Sequence, residues 1–165
     1  MSTQNNTQQL VAFNLANEEY GVAITQVQEI VRVPEITHIP GMPVFIEGVI
    51  NLRGKVIPVI DLRKRFGLEQ KEYTEKTRIV VADAGGQIIG LVVDSVSEVA
   101  QLAQDQIDAM PPSITSIDAQ YLQGVGKMGK RLVILLDLAK LLGDLERVTL
   151  EGLGKKDKQG DKLSS

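Results

Sequence analysis

One segment of this chain has the spacing of a phosphate-binding loop. Gly124-Val125-Gly126-Lys127-Met128-Gly129-Lys130 satisfies both G-x-G-x-x-G and the G-x-x-x-x-G-K part of a nucleoside-triphosphate loop. Either chemistry needs a helix to begin directly after the glycines, because the free N–H groups and dipole of a helix N-terminus hold the anion. The next residues are Arg131-Leu132-Val133-Ile134-Leu135-Leu136, a strand pattern, and Arg131 stands where a magnesium-binding Ser or Thr belongs. The segment reads as a glycine-rich hairpin turn.

No other set of residues assembles a reaction centre. His38 is the only histidine, with no cysteine and no nearby carboxylate cluster, so a histidine-based metal site or a Ser-His-Asp triad has little to draw on. Glu18, Glu19, Glu29, Asp61, Asp83, Asp94 and Glu98 are scattered, and no spacing selects two of them for acid-base work. The expectation is no enzyme, no catalytic residue, no cofactor and no metal. With 18 basic against 21 acidic residues and a pI near 5.2, a general polyanion binder is disfavoured. A single-strand nucleic-acid barrel is the alternative from another class, but three Phe, three Tyr and no Trp make a thin stacking platform.

The elements that would position any site are written twice. Gly48, Val49, Asp61, Leu62 and Gly67 recur as Gly124, Val125, Asp137, Leu138 and Gly143 at a constant offset of 76. Val11 to Val31 likewise reads like Val80 to Ala100, aligning Gly21 with Gly90, Val27 with Val96 and Glu29 with Glu98. Two copies of this length are too long for a solenoid period and fit a duplicated small barrel or sandwich with a shared core. Short Val, Ile and Leu bursts separated by Gly, Pro, Asn and Asp predict many short strands. These are Gln9 to Leu15, Tyr20 to Ala23, Val31 to Val33, Gly48 to Leu52, Lys55 to Asp61, Thr77 to Ala82, Gln87 to Val93, Ser97 to Leu102, Leu122 to Lys127 and Arg131 to Asp137.

Helices are expected to be few and short. Ile24, Val27, Gln28 and Val31 fall at helical spacing, which predicts a helical turn or two over Ile24 to Ile30 with Glu29 outward. Asp61 and Asp137 can cap the helices that come after them, the second running to about Val148. Polar residues 1–8 and Glu151 to Ser165 predict flexible termini. MSTQNNTQQ lacks the basic start and apolar core of a signal peptide, and no apolar stretch approaches a membrane span, so a cytoplasmic protein is expected.

Asn51-Leu52-Arg53-Gly54 places a charged side chain at a turn between two strongly apolar strands. Taken alone it is a hairpin with a solvated arginine. In context, Phe45-Ile46-Glu47-Gly48-Val49-Ile50-Asn51-Leu52-Arg53-Gly54 with Val56-Ile57-Pro58-Val59-Ile60-Asp61-Leu62-Arg63 resembles the central signature of the bacterial chemotaxis coupling-protein (CheW) family. Glu18-Glu19-Tyr20-Gly21, Val27-Gln28-Glu29-Ile30, Gly90-Leu91-Val92-Val93-Asp94 and Tyr121-Leu122-Gln123-Gly124 match further landmarks in order, so the resemblance covers about residues 9 to 145.

The resemblance implies a mainly β protein of two five-stranded, SH3-like barrel subdomains sharing a core. On this basis residues 9–150 form the domain, with about 16–76 as one subdomain and 9–15 plus 77–145 as the other. It also implies a non-enzymatic adaptor between chemoreceptor cytoplasmic tips and the regulatory domain of the histidine kinase CheA. Such an adaptor works at polar receptor arrays, without membrane insertion or nucleic acid, and self-association into rings is compatible with the role. The implied receptor-contacting surface comprises Ile24, Val27, Glu29, Ile30 and Arg53, with Glu29 and Arg53 paired across it. The proline-stiffened stretch Met110, Pro111, Pro112 and Ile114 is the expected kinase contact.

Overall fold

A computed structural model describes residues 7–83, 85–109 and 121–141. The chain runs β1 (Thr7–Leu15), β2 (Glu18–Ala23), a 3-10 turn (Ile24–Gln26), β3 (Val27–Arg32), β4 (Ile46–Leu52), β5 (Lys55–Asp61) and α1 (Leu62–Arg65). It continues through β6 (Arg78–Asp83), β7 (Ile88–Val93), β8 (Ser95–Ala103), a 3-10 turn (Gln104–Gln106), β9 (Ile107–Asp108), β10 (Leu122–Met128) and β11 (Arg131–Leu136). A further helix starts after Asp137 and is described as far as residue 141.

The strands form two sheets. One has five strands in the order β3-β6-β7-β5-β4; the other has six, β8-β1-β2-β11-β10-β9, of which β9 contributes only two residues. We call these the first and second lobe. Each sheet is antiparallel except at one seam, where β5 meets β7 and β11 meets β2 in parallel. Gly90 and Gly21 sit at these seams. A Cβ on Gly90 would lie 2.8 Å from Ile79 Cγ2, and one on Gly21 would lie 3.1 Å from Val133 Cγ1.

The duplication is real in three dimensions, and its copies are interlaced. The offset of 76 maps β4 and β5 onto β10 and β11, and the Asp61 N–H bond to the Phe45 carbonyl recurs as Asp137 to Tyr121, each at 2.8 Å. An offset of 69 maps the register of β1 with β2 onto that of β6 with β7, Leu10 opposite Ala23 becoming Ile79 opposite Val92. Yet β1 and β2 lie in the sheet of β10 and β11, and β6 and β7 lie in the sheet of β4 and β5. Each copy has given its leading hairpin to the other. The first lobe therefore spans β3 to β7 continuously, so the division expected at residue 76 falls elsewhere. Chain crossings occur between β2 and β3 and between β7 and β8.

Packing arises from alternation along strands buried on both faces. In β6, Ile79 and Val81 point into a cluster with Ile50, Ile57, Val59 and Val92 inside the first lobe, while Val80 and Ala82 point to the opposite side. Leu10, Leu102, Val133 and Leu135 form the matching interior of the second lobe. Between the lobes lies a larger core, in which Phe13, Leu15, Tyr20 and Leu136 from one sheet meet Ile60, Phe66, Ile89 and Leu91 from the other. This shared core fuses the lobes.

Two helix expectations fare differently. Asp61 caps α1, its carboxylate accepting from the Arg63 N–H at 2.9 Å and the Lys64 N–H at 3.3 Å; Asp137 accepts from the Lys140 N–H at 3.1 Å in the same way. The helix expected over Ile24 to Ile30 is a 3-10 turn of three residues followed by β3. The flexible termini and the run to Val148 concern segments largely outside the described residues.

Candidate functional site

The site begins at β3, an edge strand. Its register against β6 slips between Val27 and Glu29, so Val27 faces Ala82 and Ile30 faces Val80. Both Ala82 and Val80 belong to the shared core. Cross-strand partners point to the same side, so the bulge brings Val27 and Ile30 onto one face despite their odd spacing. Val27 and Ile24 pack against the margin of the shared core, and Ile30 is 39% exposed. Ile24, Val27 and Ile30 thus form an apolar rim through a bulge, in place of the helix whose period had grouped Ile24, Val27, Gln28 and Val31. Glu29 faces Val81 on the first lobe's inner side and ends at the rim.

Arg53 arrives from the β4–β5 hairpin. Leu52 pairs with Lys55, leaving Arg53-Gly54 as a two-residue turn with positive φ at both positions, 52° and 86°. This is the primed type that matches strand twist. The Asn51 side-chain oxygen accepts the Gly54 N–H at 2.9 Å. From there the Arg53 guanidinium reaches Glu29 fork to fork: its Nη1 donates to Oε1 at 3.1 Å and its Nη2 donates to Oε2. The Arg53 side chain is 73% exposed and that of Glu29 24%. Hydrogen bonding to Glu29, aided by its charge, raises the Arg53 pKa further, so the group is a permanent cation.

Two further cations, Arg63 buried and Arg65 half-buried, hold the frame, and sequence reading did not single them out. Arg63, though almost wholly buried, donates from Nε and Nη2 to the two Asp94 oxygens at 2.9 and 2.6 Å and also to the Glu69 carbonyl. Asp94 also accepts the Ala16 N–H at 2.9 Å, which ties β7 to the β1–β2 turn. Burial by itself would raise the Asp94 pKa, but Arg63 and the Ala16 N–H outweigh it and hold the carboxyl below its ordinary value. Arg65 lies between two rings, 5.0 Å from the centroid of Phe45 and 4.5 Å from that of Tyr121, and donates to the Tyr121 hydroxyl. Phe45 and Tyr121 are counterparts at the offset of 76. Carrying the repeat three residues upstream of Gly48 would have drawn attention to them.

The glycine-rich decoy is settled by its setting. Gly129-Lys130 is the turn between β10 and β11, with a φ of 63° at Gly129 and a strand after it. His38 is exposed in the loop before β4. Among the described residues no group of three His, Cys, Asp or Glu is placed to hold a metal ion, and no helix is long and apolar enough to cross a membrane. Met110, Pro111, Pro112 and Ile114 lie outside the described residues.

The arrangement gives the edge strand β3 an apolar rim on its shared-core side and, through Glu29 on its other side, an oriented, exposed cation. Comparison with known proteins identifies the family. Residues 9–146 match the family model described as the CheW-like domain. The chain is 40% identical over 148 residues to the chemotaxis protein CheW of Klebsiella aerogenes, covering 90% of this chain and 89% of that protein. It is 35% identical over 149 residues to the chemotaxis protein CheW of Treponema pallidum, covering 88% of each. In structure it is similar to the scaffolding protein TtCheW of Thermoanaerobacter tengcongensis, with a TM-score of 0.73 and 43% identity over 78% of this chain and 83% of that one.

Proposed function

This chain belongs to the CheW-like domain family, and from that premise we propose that it couples chemoreceptor cytoplasmic tips to the histidine kinase CheA. As a chemotaxis scaffold of this family it is not an enzyme. Control of the kinase then has to come from differential binding: the scaffold favours one receptor–kinase arrangement because its contacts differ between arrangements. Its place of work is the cytoplasm, at receptor arrays, where the CheA regulatory domain and the receptor tip are its two partners and ring assembly its setting.

The observation that carries this reading is the Glu29–Arg53 pair, held by the same edge strand that carries Val27 and Ile30 and follows Ile24. An amphipathic helix from a receptor tip can lay apolar residues on this rim while Arg53 meets an acceptor on the same helix. Glu29 orients the guanidinium and neutralises it until then. A separate kinase contact is assigned to Met110, Pro111, Pro112 and Ile114.

The test is reconstitution of the full chain with a receptor cytoplasmic fragment and CheA, scored for ternary complex and kinase activity. Arg53→Glu is expected to keep the fold and lose receptor control of the kinase, and Glu29→Arg with Arg53→Glu to regain part of it. Full receptor control in the Arg53→Glu protein would remove Arg53 from the site. In the same mixture Met110→Asp with Ile114→Asp should lower CheA capture and spare receptor capture; equal loss of both, or of neither, would discard the kinase assignment.

A further inference from the structure

The β4–β5 and β10–β11 hairpins are counterparts, and they differ where it matters at two positions. Leu52 and Lys55 close the first turn as Met128 and Arg131 close the second. The left-handed residue is Gly129 in the second lobe, with φ 63°, and Arg53 in the first, with φ 52°. A positive φ at the first turn position is thus built once with glycine and once with a residue whose Cβ disfavours it, although the second position is left-handed only in the first lobe, at Gly54 with φ 86°, and not at its counterpart Lys130. A strained residue persists only where its surroundings over-determine it. The second difference supplies that surrounding: Asn51 accepts the Gly54 N–H at 2.9 Å, whereas its counterpart Lys127 sends its ammonium to Asp108 at 2.8 Å.

We propose that Asn51 is a positioning residue for Arg53, and that the left-handed arginine exchanges fold stability for docking. Asn51 closes the turn from one side, Glu29 takes the guanidinium from the other, and between them an exposed, long side chain is fixed before a partner arrives. Arginine immobilised in advance loses less rotamer freedom on binding, so affinity rises without a new contact. In the second lobe Gly129 places no side chain at the corresponding point, so the two lobes present unlike faces from one scaffold. This inference rests on the reading of Arg53 as a partner contact, and the experiment separates the two.

Calorimetric titration of the full chain with a purified receptor cytoplasmic-tip fragment is run on each variant, with thermal melting alongside. Asn51→Ala should weaken binding about three- to tenfold, the size of one hydrogen bond's net contribution. Asn51→Asp keeps the acceptor oxygen and should stay within about twofold of the parent. In an Arg53→Ala background, Asn51→Ala should change binding no further, because the two act through one side chain. Arg53→Gly should melt about 2–4 °C above Arg53→Ala, the reverse of the order at an unstrained position.

An Asn51→Ala protein that melts lower yet binds like the parent would overturn the positioning role, and so would an undiminished effect in the Arg53→Ala background. Arg53→Gly melting at or below Arg53→Ala would overturn the exchange of stability for docking. If Arg53→Glu itself binds the fragment normally, the partner contact falls and this inference falls with it. Should Asn51→Ala not fold, Asn51→Lys, the residue the second lobe holds at that place, is measured instead against the same outcomes.

Discussion

At the scale of residues, the frame depends on ions that are inside rather than outside. Asp94 neutralises Arg63, which is almost wholly buried, and removing one partner of such a pair leaves the other charged and desolvated. Asp94→Asn is expected to cost about 2–3 kcal/mol at neutral pH, measured by urea unfolding. The pH dependence has a definite sign. The folded Asp94 carboxyl is held below its ordinary value of 3.8, so its contribution is complete above pH about 4 and is lost as pH falls through the folded pKa. The gap between parent and variant should therefore close on acidification; a gap that widens below pH 4 would contradict the ion pair. In the sequence Arg63 appeared only as the last residue of the stretch that resembles the family signature. Its partner lies 31 residues away in the bend between β7 and β8, so no local spacing could have revealed the pair.

Among elements, close approach decides which glycines matter. At Gly48 a Cβ would lie 2.2 Å from the Thr37 carbonyl oxygen, and at its counterpart Gly124 a Cβ would lie 2.5 Å from the Asp108 carbonyl oxygen. Both protect the edge of a hairpin strand, β4 being covered by Thr37 and β10 by β9. Gly48→Ala should cost about 2–4 kcal/mol, because backbone must move. Gly54→Ala, with open space around it, should cost less than Gly48→Ala; melting curves giving the opposite order would show that the Thr37 contact is not a constraint. The repeat made these glycines, the strands and both aspartate caps legible, since each is a local pattern. The β3 bulge was not legible. Val27-Gln28-Glu29-Ile30 carries apolar residues three apart, which a helix produces by its period and a strand only by a slip against its neighbour. Only the partner strand β6 distinguishes the two.

For the whole molecule, sheet membership was what the sequence concealed. Repeat offsets show which segments correspond, not which copy of a hairpin pairs with which copy of its partner, and the Arg53–Glu29 pair forms within one lobe only because β3, β4 and β5 stay together. Each lobe has a small interior cluster, but with hairpins exchanged and the larger core shared by both sheets, loss of one lobe would strip the other of that core. Scanning calorimetry should give one transition with calorimetric and van't Hoff enthalpies equal. Two resolved transitions, or protection of one sheet alone in hydrogen exchange, would show the lobes to be separable.

Interlacing also sets an order of events during synthesis. The first lobe is complete once residue 93 has emerged, but β1 needs β8 and β2 needs β11, which ends at residue 136. From the ribosome onward, the leading hairpin therefore waits for its sheet neighbours, β8 on one side and β11 on the other, while Val11, Phe13 and Tyr20 have only first-lobe residues to cover them. A nascent chain halted before β11 should be a client of chaperones, and release of the finished polypeptide should end that dependence.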